Sequence, residues 1–236
     1  MAGGLTPEVR ARLEALGFRP RRRLGQNFMR DGNMLAALAR ESGAGEGDLV
    51  LEPGPGAGGL TAALLEAGCE VVAVELDPLL AGFLRERFGS SPKFTLIEGD
   101  VLGEGRRVSP GAVAALGGRE FTVCSNLPYS AATPFLLALA GSDLPWRRAA
   151  VTVQKEVADR LGARPGESAY GAATALLSAR AECASVRRVP PDVFWPRPRI
   201  ESAILRLTPR PKTDVSPAEF EAFAAFVRGL FSARRK

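Results

Sequence analysis

The chain of 236 residues contains no histidine. That absence excludes Ser-His and Cys-His nucleophile pairs, histidine metal sites and imidazole acid–base chemistry. Any catalysis must rest on carboxylates, amides, aromatic rings or a reactive cofactor. Cysteine is nearly absent too. Cys69, Cys124 and Cys183 are far apart and odd in number, so they give neither a disulfide framework nor a metal-ligand spacing. No apolar run approaches the roughly 18 residues of a membrane span, and no apolar stretch follows a basic start at the N-terminus as a secretory signal would require. These absences lead to the expectation of a cytoplasmic protein with no membrane partner and no metal.

What is present is ordinary for a globular chain: 46% hydrophobic and 24% charged residues, enough for one large domain and a small appendage. The net charge is +5 with a pI near 9.5. On charge alone, a polyanionic partner and an arginine-rich composition explain this equally well. Position shifts the balance, because Arg19, Arg21, Arg22 and Arg23 form one basic cluster and Arg234, Arg235 and Lys236 another.

Along the chain, residues 6–16 read as a short helix with Thr6 at the N-cap and Pro7 at the first helical position. A second helix is expected over 31–41, capped by Asp31. Strands and helices then alternate. Strands are expected at 48–52, 70–75, 93–98, 121–125 and 149–153, and helices at 60–67, 78–88, 132–140 and 169–180. Units of this length argue for an α/β fold with a parallel sheet covered on both faces. Strands at 181–189 and 200–207 are separated only by a Pro-rich loop, so they are expected to pair antiparallel at one sheet edge. Pro209 and Pro211 mark a linker, and Ser216 and Pro217 open a last helix ending near Phe231.

Four signals carry chemistry. The run Glu52-Pro53-Gly54-Pro55-Gly56-Ala57-Gly58 lies between a strand and a helix, where glycines let backbone approach a ligand closely. Alone it fits a dinucleotide, a nucleoside or a plain turn. Glu75 ends the second strand about 20 residues on, where a carboxylate can accept both ribose hydroxyls of a nucleoside. Gly99-Asp100 follows the third strand, and a carboxylate there can accept from an adenine amino group. All three lie at the carboxyl edge of the sheet, where open α/β folds bind ligands. The sharpest signal is Asn126-Leu127-Pro128-Tyr129 after the fourth strand. The lone pair of an aromatic amine is delocalised into its ring and is a poor nucleophile. The Asn126 amide oxygen can accept one amine N–H, and the carbonyl of Leu127 or Pro128 the other. Acceptors placed out of the ring plane favour a tetrahedral nitrogen, and Tyr129 can stack on the flipped base. An activated sulfonium donor then requires neither histidine nor metal.

These residues resemble the rRNA adenine N6-dimethyltransferases of the KsgA (RsmA) family. The resemblance runs from Gly25 to Lys236. It rests on Gly25-Gln26-Asn27-Phe28, Gly54-Pro55-Gly56, Glu75-Leu76-Asp77, Gly99-Asp100 and Asn126-Leu127-Pro128-Tyr129. Gln154 to Leu161, Ala169-Tyr170-Gly171 and the stretch Pro191, Phe194, Pro196, Pro198, Ser202 also fit. It implies a Rossmann-like class I methyltransferase with a mostly parallel sheet of about seven strands, the last strands antiparallel. It also implies S-adenosylmethionine as cofactor, bound by Asn27, Met29, Gly54, Gly56, Glu75, Leu76, Asp100, Val101 and Asn126. Catalysis would fall to Asn126, Leu127, Pro128 and Tyr129, with Phe194 as a second aromatic face on the target adenine. The implied substrate is a pair of adjacent adenosines in small-subunit (16S) rRNA, each methylated twice, by a monomer acting on the 30S subunit during ribosome biogenesis. RNA binding would rest on Arg21, Arg22, Arg23, Arg234, Arg235 and Lys236.

Some positions depart from the family pattern. Pro53 replaces an aliphatic residue, Met29 replaces Leu, Ser130-Ala131-Ala132 replaces a different run, and Arg199 stands where Lys is usual. Members continue past the Arg-Arg-Lys segment into a small helical domain. Residues 1–208 are therefore expected to form the methyltransferase domain, and 209–236 a linker and the start of that second domain, cut short. The alternatives are a non-catalytic ribosome-assembly factor, disfavoured by intact Glu75, Asp100 and Asn126, and an Erm-like enzyme of large-subunit rRNA, disfavoured by Leu127. A dinucleotide or nucleotide-sugar enzyme is disfavoured by the Asn126 motif and the lack of histidine.

Overall fold

A computed structural model describes residues 4–21, 24–213 and 215–233. Nine helices and nine strands follow in the order α1 (Pro7–Ala15), β1 (Phe28–Met29), α2 (Gly32–Ser42), β2 (Leu49–Pro53), α3 (Gly59–Glu66), β3 (Glu70–Glu75), α4 (Pro78–Phe88), β4 (Phe94–Glu98), α5 (Pro110–Leu116), β5 (Phe121–Ser125), α6 (Ala132–Gly141), β6 (Trp146–Gln154), α7 (Lys155–Leu161), α8 (Ala172–Ser178), β7 (Ala181–Val189), β8 (Phe194–Trp195), β9 (Ser202–Pro209) and α9 (Phe220–Ala233) among the described residues. Among these, no helix is long and apolar enough to cross a membrane.

Seven strands make one sheet in the order β4-β3-β2-β5-β6-β9-β7. The first five run parallel, and β9 is antiparallel to both β6 and β7. The reversal has the cause expected from the sequence: the β7–β9 connection holds only a 3₁₀ turn and the two-residue β8, no crossover helix. Side chains alternate between two buried layers. Leu49, Leu51, Val72, Val74, Val123, Val151 and Leu205 face α5, α6 and α7. Val50, Val71, Ala73, Cys124, Ala150 and Ile204 face α2, α3 and α4. Residues buried on both faces explain why these strands read as continuous apolar runs.

Local signals fix the helix starts. The Thr6 hydroxyl accepts from Val9 N at 3.3 Å, and the Asp31 carboxylate accepts from Asn33 N at 2.8 Å and Met34 N at 3.1 Å. The observed ends differ from expectation by a few residues. The helix expected at 169–180 is Ala172–Ser178, that at 216–231 is Phe220–Ala233, and the strand expected at 149–153 is Trp146–Gln154. Two helices were not expected. α5 is short and rich in small residues, yet Ser109 caps it through Ala112 N at 3.4 Å and Pro110 opens it. α7 starts directly at the end of β6 with no side-chain cap.

The pairing of β1 with β8 was likewise not foreseen: Phe28 lies opposite Trp195 and Met29 opposite Phe194. It docks the N-terminal segment on the Pro-rich loop. Arg30 extends the contact, its N–H donating to Val193 O at 2.8 Å and its guanidinium to Asp192 O at 2.9 Å. Leu5, Leu13, Phe18 and Phe28 then pack with Ala57, Leu80 and Phe83, closing α1 over one end of the sheet.

Candidate active site

The carboxyl ends of β2, β3, β4 and β5 open into a cavity of about 360 Å³, within the size range of small-molecule sites. Its walls come from the turn after β2, Glu75 and Leu76 after β3, Gly99 to Leu102 after β4, Asn126 to Pro128 after β5, and Leu24 to Met29 across the top. Every residue assigned to cofactor binding lines it: Asn27, Met29, Gly54, Gly56, Glu75, Leu76, Asp100, Val101 and Asn126.

The turn has the backbone that its glycines anticipate. Gly54 has φ +65° and Gly56 φ +58°, a region costly for other residues. A Cβ on Gly56 would stand 2.8 Å from the Phe28 ring, and one on Gly54 3.1 Å from Pro128. The turn is therefore clasped between the N-terminal segment and the loop after β5. Pro53 completes β2, opposite Val74, and its carbonyl accepts from the buried Ser125 hydroxyl at 2.5 Å. Pro53 thus closes the strand where no ladder N–H is needed.

Glu75 is buried, and its two oxygens accept from Gly56 N at 3.0 Å and Asp77 N at 2.9 Å. Burial outweighs these bonds and raises its pKa. A carboxylate has about four acceptor directions, so these bonds leave it able to accept from a ribose hydroxyl. Asp100 uses one oxygen to accept from Leu102 N at 2.9 Å, and its side chain is exposed at the cavity rim. Leu76 is 50% exposed beside it, an apolar surface on which a flat ring can lie. Gln26 ties the covering segment down, accepting from Arg21 N at 2.8 Å and donating to Asp77 at 3.1 Å.

Glu52 had no assigned role, yet it lines the same cavity and is almost fully buried. Thr61 donates to it at 2.7 Å, but desolvation dominates and pushes its pKa up to about 8. Glutamate at the head of a Gly-rich turn was visible in the sequence; burial was not.

Asn126 follows β5 directly and lines the cavity. Its amide nitrogen donates to the backbone carbonyl of Asn27 at 2.8 Å. That bond fixes the amide so that Oδ1 is the free acceptor, and among the described residues no donor reaches it. The carbonyl of Pro128 is engaged by Ala131 N at 2.9 Å, whereas none of the described residues donates to that of Leu127. Tyr129 and Phe194 do not line this cavity. Tyr129 is half-buried, and its hydroxyl lies 2.8 Å from that of Ser202. Burial raises the phenol pKa, and the bond to Ser202 opposes this. Phe194 is only 2% exposed and packs with Met29, Leu35, Val189 and Val193. As the structure stands it is a core ring, and its Cα partner in the β1–β8 ladder is Met29. Arg21 is exposed, 3.8 Å from Asp77. Arg22, Arg23, Arg234, Arg235 and Lys236 lie outside the described residues.

The arrangement fits a sulfonium nucleoside: a glycine cradle that a Cβ would fill, a buried carboxylate for a ribose, an apolar shelf with a rim carboxylate for a purine. Known proteins agree. The chain is 41% identical to the ribosomal RNA small subunit methyltransferase A of Phenylobacterium zucineum over 98% of its length and 78% of that protein's. The crystal structure of 23S rRNA methyltransferase ErmE superposes with TM-score 0.67 at 26% identity, over 85% of this chain and 77% of that one. A dimethyladenosine transferase from Plasmodium falciparum superposes with TM-score 0.71 over 86% of this chain and 70% of that one; at 24% identity it supports the fold alone. A family model described as ribosomal RNA adenine dimethylase matches residues 17–236. With that match covering nearly every element around the cavity, the chain belongs to the ribosomal RNA adenine dimethylase family.

Proposed function

We propose that the protein transfers methyl groups from S-adenosylmethionine to N6 of two adjacent adenosines in small-subunit rRNA, giving N6,N6-dimethyladenosine, as a monomer in the cytoplasm. The observation that carries this reading is the Asn126 amide, which lines the cavity and donates its nitrogen to Asn27 O, leaving its oxygen as the acceptor. When bound, the cofactor supplies a sulfonium-activated methyl group. The chain's own task is to present the acceptor. Asn126 Oδ1 takes one N6 hydrogen and the unengaged Leu127 carbonyl the other. Together they would draw the amine out of conjugation and free its lone pair for attack. With the methyl group supplied by a bound cofactor, positive charge would then develop on N6. These two preoriented oxygens stabilise it without reorganising. The methylated nitrogen is then strongly acidic and loses its proton to solvent, so no histidine base is needed.

Tyr129 offers its face to the extruded base. Phe194 supplies a second face only if it leaves the core position it holds here. Small-subunit rRNA is preferred over large-subunit rRNA because the small-subunit relative is the more similar, 41% against 26% identity.

The test is incubation with labelled cofactor and unmethylated small ribosomal subunits, followed by mass-spectrometric mapping. Two neighbouring dimethyladenosines are expected. Label confined to large-subunit RNA, or no label, would refute the reading. Asn126→Ala should lose transfer by at least about a hundredfold while cofactor affinity stays within a few fold.

A further inference from the structure

The reading above leaves Ser202 without a role, although it ends the Pro-rich stretch that marks the family resemblance. We propose that Ser202 is a positioning residue whose hydroxyl latches the phenol of Tyr129 and so presets the ring that receives the target base. The inference rests on the adenosine-N6 reading for its purpose and on geometry for its substance.

The two hydroxyl oxygens are 2.8 Å apart. Ser202 has 0% exposure and is the first residue of β9. It is paired on both sides, opposite Gln154 of β6 and Val189 of β7. Strand pairing on two flanks makes it one of the most firmly placed hydroxyls at the carboxyl edge. Tyr129, by contrast, lies in a loop with few other ties. Ser130 is exposed, and Ala131 caps α6 without a side-chain hydrogen bond. The remaining local bond is Ala131 N to Pro128 O. Gly25 approaches the Tyr129 backbone, its notional Cβ only 3.1 Å from Tyr129 N. That contact limits the backbone but not the ring.

Stacking alone needs no phenolic oxygen; a phenylalanine ring has the same faces. A hydroxyl at the far end of the ring is useful when it anchors that end, because both side-chain torsions are then set before a base arrives. The loss of freedom on binding is thereby reduced. The latch also joins the loop after β5 to the strand that follows the Phe194 loop, so the Tyr129 ring is referred to one buried atom of the sheet.

The chain has two tyrosines, Tyr129 and Tyr170, which makes the latch directly observable. Ring-labelled tyrosine gives two sets of NMR signals, and Tyr170 serves as an internal reference. Ser202→Ala should move the Tyr129 signals, leave those of Tyr170 in place, and lower kcat on small subunits roughly fivefold, the effect of one lost neutral hydrogen bond. Cofactor Kd should not change. Tyr129→Phe removes the same bond from the other end while sparing Ser202, and should lose a similar factor. The double variant should lose no more than either single one. Unmoved Tyr129 signals in Ser202→Ala overturn the latch whether or not methylation occurs. So do losses that multiply in the double variant. Wild-type protein that leaves small subunits unmodified would overturn the N6 reading and with it the purpose given to the latch, a failure visible in the control arm alone.

Discussion

Glu52 and Glu75 share one cavity but answer to different partners. Glu75 is held by two backbone N–H groups, so removing its carboxylate unties the turn as well as the ribose contact. Glu75→Ala should abolish cofactor binding by calorimetry and lower Tm. Glu52 has a single hydroxyl donor, and its pKa is about 8 against an ordinary 4.5. The folded state therefore holds a proton that the unfolded state has released between those two values. Stability of the cofactor-free protein should be highest below pH 4.5 as far as this group is concerned, and fall as pH rises towards 8. The total is on the order of a few kcal/mol. Glu52→Gln should flatten that slope in urea unfolding series. A cationic cofactor beside Glu52 favours the ionised form, so binding near pH 7 should release a proton. Calorimetry in buffers of different ionisation enthalpy measures this directly, and Glu52→Gln should abolish it.

At the scale of elements, the parallel strands were legible because each is a short apolar run bounded by a turn signal, and the ligand edge was legible because Glu75, Asp100 and Asn126 fall at successive strand ends. Three things were not. The β1–β8 ladder has two pairs and spans more than half the chain, so no local period announces it. α7 follows β6 without a cap or a breaker. The burial of Phe194 depends on α2 and the N-terminal segment closing over it, which sequence spacing does not report. Linker placement also depends on one side chain. Arg180 donates to Ala140 O at 2.9 Å, Ser142 O at 3.1 Å, Val215 O at 2.8 Å and Thr213 Oγ1 at 3.2 Å. It fastens Thr213 and Val215 to the end of α6, while Leu176, Ala224 and Val227 seat α9 on α8. Arg180→Ala should cost about 2–3 kcal/mol and raise amide exchange selectively in the linker and α9, with the cofactor cavity unaffected.

Over the whole molecule, the net charge of +5 matters chiefly for RNA affinity. Many arginines are already committed: Arg85 to Glu98, Arg119 to Glu70, Arg147 to Asp48, Arg206 to Glu41. Such exposed pairs contribute little to stability and leave little charge for a phosphate. The basic cluster at 19–23 differs, since Arg21 is exposed, its nearest acid is 3.8 Å away, and Arg19 has no ion-pair partner among the described residues. This cluster directly precedes Leu24 to Met29, the segment that roofs the cofactor cavity. RNA gripped there would lie beside the active site. Each phosphate contact on single-stranded RNA adds about 0.7 to the slope of log K against log salt. Replacing Arg21, Arg22 and Arg23 by Ala should therefore flatten the slope by about 2, so that raising salt fourfold weakens the variant roughly twentyfold less than the wild type. Cofactor affinity should be unchanged, because among the described residues no arginine lines the cavity. A filter-binding titration with a small-subunit rRNA hairpin at several salt concentrations reads this out, and a slope equal to that of the wild type would remove the cluster from the RNA interface.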